Sequence, residues 1–425
     1  MTLQGPIQQP VQRPVLLTAE TREHIIVSLW ILVTYTQFPK DELLLYPLAL
    51  YFAYATVRDI KKIEPLLYGS WILLIFPIWS ILATIWAVVP VQSLKSGLQV
   101  ALTMVICFYA AAWLTPRRIM LSVFIAASVI GLLSLGSAVS GSEAAIGVFT
   151  HKNVLGANMT ILLVTSLCVM LDRGFPQTIR LIAPGMAAIA FMLVVFSQSA
   201  TGLLLSLAGM AMVLGGAIFV GESSILRLDR LVVLCATGAC GFLGLSIIAS
   251  VLHIDLVGDV LDAVGKNRTI TGRTVLWDYA QGEIQDRPLL GVGNGGFWRW
   301  EQSPLVRRIF EEFHKSPRHG FTFHNSYYEI IVHLGYVGLA FAVTALSWAA
   351  FKILRGLLGF GGMPMVFFAT ILMIVFARSF VESDLFRQFV LTHMLVWMGA
   401  LFVVKEQLAI KYARQQMRLQ QAYGG

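Results

Sequence analysis

The chain has 425 residues, 57% of them apolar and only 13% charged, with a net charge of +8 and a mean hydropathy of +0.75. So much apolar surface cannot be hidden from water in a soluble core, and its repeated runs approach the roughly 20 residues needed to cross a bilayer. A soluble globular protein is excluded. Backbone groups in hydrocarbon must bond within their own segment, so the runs are predicted to be helices and the chain an all-α polytopic membrane protein.

In chain order, residues 1–24 read as a cytoplasmic tail. They are rich in Gln and Pro, mix Arg13 and Arg22 with Glu20 and Glu23, and hold no apolar core or cleavage site of a signal peptide. Spans 1–9 follow within 25–252, at 25–38, 41–57, 66–89, 94–114, 119–140, 154–171, 179–196, 200–220 and 231–252. Pro77 and Pro184 inside them mark kinks or frayed ends. A single large extracytoplasmic loop, 253–324, precedes spans 10–12 within 325–404, at 325–351, 363–382 and 388–404, and residues 405–425 form a second cytoplasmic tail. The expected total is about 12 transmembrane helices.

Charge sets the orientation. Alternate connections, counted from the N-terminus, collect 17 of the 31 basic residues, against five (Lys40, Lys95, Lys152, Arg378 and Arg387) in the short connections opposite. The positive-inside rule places the first side, with both termini, in the cytoplasm. The basic balance thus has anionic lipid headgroups as its partner and does not argue for nucleic acid. Cys107, Cys168, Cys235 and Cys240 fall in apolar spans, so no outer disulfide is expected. No internal repeat is visible, which counts against a secondary transporter built from inverted halves.

Distinctive polar residues gather on the outer side. Gly147 to Gly156 ends an outer connection and contains Lys152 and Asn153; Ser197-Gln198-Ser199-Ala200-Thr201-Gly202 is a tight polar hairpin between spans. In the long loop, Thr271-Gly272-Arg273-Thr274 caps a short helix and puts Arg273 at its N-terminus. A cation there opposes the helix dipole, so either an anion such as a phosphate shares the site or the side chain pairs at the surface with Asp278 or a lipid headgroup. The glycine-dense turn from Arg287 to Trp298 is not a nucleotide loop, because no strand-helix-strand pattern flanks it and no Lys follows. Trp277, Trp298, Trp300, Phe321 and Phe323 read as an interfacial aromatic belt, with stacking on sugar rings as the sharper alternative. His314, His319 and His324 do not share a helix face, and zinc is not expected.

His324 and Asn325 stand where the loop re-enters the membrane, followed by nine residues, Gly335, two residues and Gly338. An imidazole there, with Tyr327, Tyr328 and Glu329 next to it, can exchange a proton with a bound hydroxyl. Asn325 can cap the next helix, Tyr328 can fix the ring, and the two glycines let a neighbouring helix approach. The last outer cluster is Arg378, Glu382, Asp384 and Arg387, which by itself reads as a local ion pair; its acidic pair, like Asp41 with Glu42, is also where a divalent ion would bind.

Taken together, Lys152-Asn153, the Ser197 to Thr201 hairpin, Gly272-Arg273, the turn to Trp298 and the His324-Asn325/Gly335/Gly338 spacing resemble the O-antigen ligase and Wzy-type polysaccharide polymerase superfamily. The similarity is greatest to its exopolysaccharide polymerase branch, and it extends from about Gly147 to Arg387. The resemblance implies a glycosyltransferase-C-like membrane enzyme with no metal, nucleotide or redox cofactor. Its substrate is an undecaprenyl-diphosphate-linked oligosaccharide, taken from the outer face of the bacterial inner membrane. Membrane lipid, a polysaccharide co-polymerase and export proteins are the further partners. His324 then acts on the acceptor hydroxyl and Arg273 holds the diphosphate, with Lys152, Asn153, Ser197, Ser199, Trp298, Asn325 and Arg378 binding substrate. Ligases of the family usually carry an Arg in the hairpin where this chain has Ala200, so either Lys152 or Arg378 takes that duty or the donor is gripped differently, a departure that favours a polymerase over a ligase. The alternatives are ligation of glycan to lipid A core and a non-catalytic lipid-linked oligosaccharide transporter or export component.

Overall fold

The computed structural model describes residues 18–36, 38, 40–138, 145–220, 273–316 and 320–423. The predicted span 231–252, the first part of the outer loop and most of the N-terminal tail lie outside them. Among the described residues the secondary structure is entirely helical. Helix α1 is Ala19–Tyr35, α2 Glu42–Arg58 and α3 Ile60–Gly69; short 3-10 turns, Trp71–Leu74 and Ala83–Ile85, flank α4, Ile75–Leu82. Then come α5 (Pro90–Trp113), α6 (Pro116–Ala138), α7 (Lys152–Leu171), α8 (Gln177–Phe196) and α9 (Ala200–Phe219). The stretch predicted as the outer loop holds α10 (Arg273–Asp286) and α11 (Pro304–Glu312), and α12 (Ser326–Gly359), α13 (Met363–Ser379) and α14 (Leu391–Tyr423) follow.

The protein is a polytopic membrane protein, but its spans are less uniform than the sequence implies. Among the described residues, seven helices (α5 to α9, α12 and α14) are long and apolar enough to cross a bilayer. Helices α2 and α3 meet at 89° and make an eighth only if taken as one broken span. The span predicted at 66–89 is instead the short apolar segment Trp71–Ile85, and α1 and α13 have 17 residues each. Pro77, which lacks an N–H, sits in the first turn of α4 after a 3-10 stretch, so this stretch is assembled from short pieces. Pro184, by contrast, lies inside an uninterrupted α8.

Packing centres on α7, which lies against α6, α8, α9 and α13, while α5 packs on α2, α4 and α14. One buried apolar cluster fills this bundle. A second belongs to the outer loop, where Leu276, Ala280 and Ile284 of α10 and Val306, Ile309 and Phe310 of α11 close on Phe297, Phe323, Ile331 and Val332. The aromatic residues expected to form a membrane belt are therefore largely the core of a small folded cap. Trp298 packs edge-on against Phe297 at 4.8 Å and near Phe323 at 4.6 Å, and its indole donates to Glu329 at 2.7 Å.

This cap is bolted to the bundle through a break in α12. Gly335 has φ 70° and ψ −177°, a conformation open in practice only to glycine. The break exposes carbonyls that the glycine-rich turn uses: Val292 N–H donates to Val332 O at 3.0 Å and Gly293 N–H to His333 O at 2.8 Å, while Tyr336 N–H donates back to Pro288 O at 2.8 Å. Gly335 thus admits a loop backbone rather than a neighbouring helix. A Cβ at this position would stand 1.9 Å from Leu289 O. Gly335→Ala is expected to destabilise the protein by about 3 kcal/mol or more, seen as a lower melting temperature in detergent and loss of membrane-inserted protein. Gly282→Ala in α10, where a Cβ meets nothing within 4 Å, should be neutral or slightly stabilising in the same assay.

Candidate active site

His324, Asn325 and Ser326 are stitched to the segment that follows α13. Asn325 caps α12, its Oδ1 accepting from Tyr327 and Tyr328 N–H at 2.9 and 3.2 Å, while its Nδ2 donates to Phe380 O at 3.1 Å. Asn325 N–H donates to Ser383 Oγ at 3.1 Å, and Ser326 Oγ donates to Glu382 O at 2.7 Å. These bonds fix His324 in a left-handed backbone conformation, φ 50°, that a non-glycine residue holds only when its surroundings enforce it. The ring is thereby directed at Glu382, with Nδ1 and Oε2 3.4 Å apart. On the other side of the same carboxylate, Oε1 lies 3.6 Å from Arg273 Nη2. One carboxylate, Glu382, thus links the loop histidine to the arginine at the start of α10.

A cavity of about 740 Å³ opens beside this trio. Its wall includes His324, Glu382, Arg378, Asp384 and Arg387 together with Asn153 and Asn158 of α7, Tyr35 and Asp41 near the α1–α2 connection, and an apolar side of Leu45, Val154, Ile161 and Ile374. The size and the mixture of apolar wall with few convergent polar groups are those of a ligand site. Among the described residues Arg387 has no carboxylate within ion-pair distance, so its guanidinium is available to an anion, whereas Arg378 is matched by Asp384. Asn153 Oδ1 is buried without a hydrogen-bond partner, which marks that wall as incomplete.

Burial raises the pKa of Asp384, but the charge and hydrogen bond of Arg378 outweigh it and hold the carboxyl below the usual carboxylate range. A folded-state pKa that is depressed gives stability that is fully present above the unfolded value, about 3.9, and lost as pH falls through the folded one. Asp384→Asn is therefore expected to lower the melting temperature at neutral pH, by leaving the largely buried Arg378 without its hydrogen-bonded carboxylate, at about 1–3 kcal/mol. Below about pH 4 the gap between the variant and the wild type should narrow, because there the unfolded carboxyl takes up a proton while the native one stays charged until lower pH.

The other predicted site residues are distributed unevenly around this cavity. His324, Asn153 and Arg378 stand on its wall, and Arg273 reaches it through Glu382. Lys152 is the first residue of α7, next to the wall formed by Thr150 and Asn153 but not part of it. Ser197 and Ser199 are buried away from it: Ser197 Oγ donates to Val194 O at 2.6 Å, and Ser199 Oγ caps α9 by accepting from Gly202 N–H at 3.2 Å. The hairpin is tight because a Cβ at Gly156 would meet Ser199 Cβ at 2.9 Å, so its serines serve the packing of α7 on α9. Asn325 is spent on capping and on the α13 segment, as described above. Trp298 lines a separate cavity of about 180 Å³ that shares Thr322, Ser383, Arg387 and Gln388 with the main one. Tyr328 does not fix the His324 ring; it stacks on Trp277 at 5.7 Å and its hydroxyl accepts from Gln281 at 3.1 Å. Arg273 pairs with Glu382, not Asp278.

The sequence profile of the family described as O-Antigen ligase matches residues 185–343, and the chain is 28% identical over 327 residues to the Exopolysaccharide production protein ExoQ of Rhizobium meliloti (strain 1021), covering 75% of this chain and 73% of that protein. By these two matches the chain is similar to the O-antigen ligase family and to an exopolysaccharide production protein. The matched O-antigen ligase region contains Arg273, His324, Asn325 and the break at Gly335, so the histidine motif and its loop fall inside the family segment. Arg378, Glu382, Asp384 and Arg387 lie beyond it and complete the cavity from the C-terminal side. Glu382 and Asp384 each face a cation, and among the described residues no group of three or more His, Cys, Asp and Glu is placed to hold a metal ion.

Proposed function

We propose that the protein is a membrane glycosyltransferase that joins undecaprenyl-diphosphate-linked oligosaccharide repeat units into exopolysaccharide at the outer face of the inner membrane. The observation that carries this reading is the Arg273–Glu382–His324 contact at the edge of one cavity with Arg387. It is supported by the family and by the name of the ExoQ relative.

The chemistry assigned to each group is simple. Glu382 accepts a hydrogen bond from Nδ1–H of His324, which leaves the Nε2 lone pair free to take the proton of an acceptor hydroxyl. The acceptor oxygen forms a bond to C1 of the donor sugar as the bond from C1 to the diphosphate oxygen breaks, and undecaprenyl diphosphate leaves with the electron pair. Negative charge growing on the leaving diphosphate is met by Arg387 and by Arg273, whose contact with Glu382 at 3.6 Å is loose enough to be exchanged for phosphate oxygens. The apolar wall of Leu45, Val154, Ile161 and Ile374 takes the first units of the lipid.

Purified protein in proteoliposomes, supplied with lipid-linked repeat units, should elongate glycan on undecaprenyl diphosphate. Transfer to added lipid A core instead would make the protein a ligase. Movement of the lipid-linked unit across the bilayer with no new glycosidic bond would make it a transporter.

A further inference from the structure

A second cleft lies at the end of the bundle opposite the candidate active site, and glycosyl transfer makes no use of it. Helix α12 starts beside His324 and ends at Gly359, and α14 starts at Leu391, on the cavity wall, and runs to Tyr423. Both carry the chain to the far end, which is the face that the basic-residue count assigns to the cytoplasm. There Arg355 and Phe360 face Ile410, Lys411, Arg414 and Arg418 across a space of about 720 Å³. Steps of three and four residues place the three α14 cations on one side of that helix.

The four cations differ from their neighbours at this end of the molecule. Arg58, Arg117 and Arg118 pair with Asp59, Asp172 and Glu20 at 2.6 to 2.8 Å. Among the described residues no carboxylate comes within ion-pair distance of Arg355, Lys411, Arg414 or Arg418. Like charges held together without a counter-charge repel, and that repulsion is relieved when an anion enters. The cleft is also partly apolar, since Phe360 is 40% exposed and Ile410 lines it.

We propose that this cleft binds an anionic phospholipid carrying two phosphates, a diphosphatidylglycerol. Lys411 to Arg418 spans about 10 Å of helix, too far for one phosphate to meet all the cations. Two phosphates joined by a glycerol match that spread, with an acyl chain laid on Phe360. Basic clefts between membrane helices on the cytoplasmic side recognise headgroups of this kind.

The test is native mass spectrometry of the delipidated, purified full chain titrated with diphosphatidylglycerol, with phosphatidylglycerol at twice the concentration, and with inorganic tripolyphosphate. One diphosphatidylglycerol per chain should be retained in preference to the other two. The Arg414→Gln/Arg418→Gln variant should bind it about tenfold or more weakly, with an unchanged lipid-free melting temperature. If that double variant loses its fold, Arg355→Gln, on the other helix, decides with an expected loss of about fivefold. Unchanged binding in the variants, or equal retention of phosphatidylglycerol, would overturn the proposal by reducing the cleft to general surface charge. Retention of tripolyphosphate in place of the lipid would overturn it in favour of a soluble polyphosphate site.

Discussion

Replacing His324 by alanine or by glutamine is expected to abolish polymer formation while leaving the protein in the membrane at its normal level. Proton transfer by a positioned group contributes about 10² to 10⁴-fold, and glutamine keeps the polarity of the ring without its proton exchange. The fold should tolerate both changes, because the cap and the α13 segment are tied together by Asn325, Ser326 and Ser383 and not by the imidazole. Removing a side chain from a left-handed position leaves its backbone strain as it was. Quantified polymer from membranes with matched protein content provides the measurement. Near wild-type synthesis by His324→Gln would mean that the ring only helps to shape the loop.

The second large effect is expected at Arg273. Losing a charge-assisted contact that strengthens as the diphosphate departs should lower turnover by about 10²-fold or more in Arg273→Ala. Lysine should rescue it only in part, since an ammonium cannot engage two oxygens with a planar fork. The loss should appear mainly in kcat, with donor affinity less affected because Arg387 remains on the cavity wall. If Arg273→Ala turned over normally, the arginine would be no more than a local ion-pair partner of Glu382.

How much of this was legible in the sequence depends on how far apart the cooperating residues are. Hydropathy reveals the helices because burial in lipid acts on each run separately, yet it could not show that the span predicted at 66–89 is built of short pieces around Pro77. The histidine motif stands out because His324, Asn325 and Gly335 act within one stretch of chain. Glu382 does not. It lies 58 residues from His324, and beside Arg378 and Arg387 it reads as one member of a local ion-pair cluster. Only the tertiary bonds from Asn325 and Ser326 to the end of α13 show that it faces the histidine. The aromatic residues of the outer loop were misread for a related reason. Composition cannot separate a membrane belt from the core of a cap, although Val306, Ile309 and Phe310 recur at helical spacing and carried that signal. Spacing likewise reveals that Gly335 matters, but only its φ of 70° shows that it breaks a helix to admit a loop.

The central claim is that Glu382 couples the proton-accepting His324 to the diphosphate-binding Arg273. The most direct measurement is a double-mutant cycle on elongation rate with Arg273→Lys and Glu382→Gln, using purified protein and lipid-linked repeat units. A shared carboxylate predicts strong coupling: Arg273→Lys should lower the rate several-fold less in the Glu382→Gln background than in the wild type. Two losses that simply multiply would show that Arg273 and Glu382 act independently, and would contradict the account.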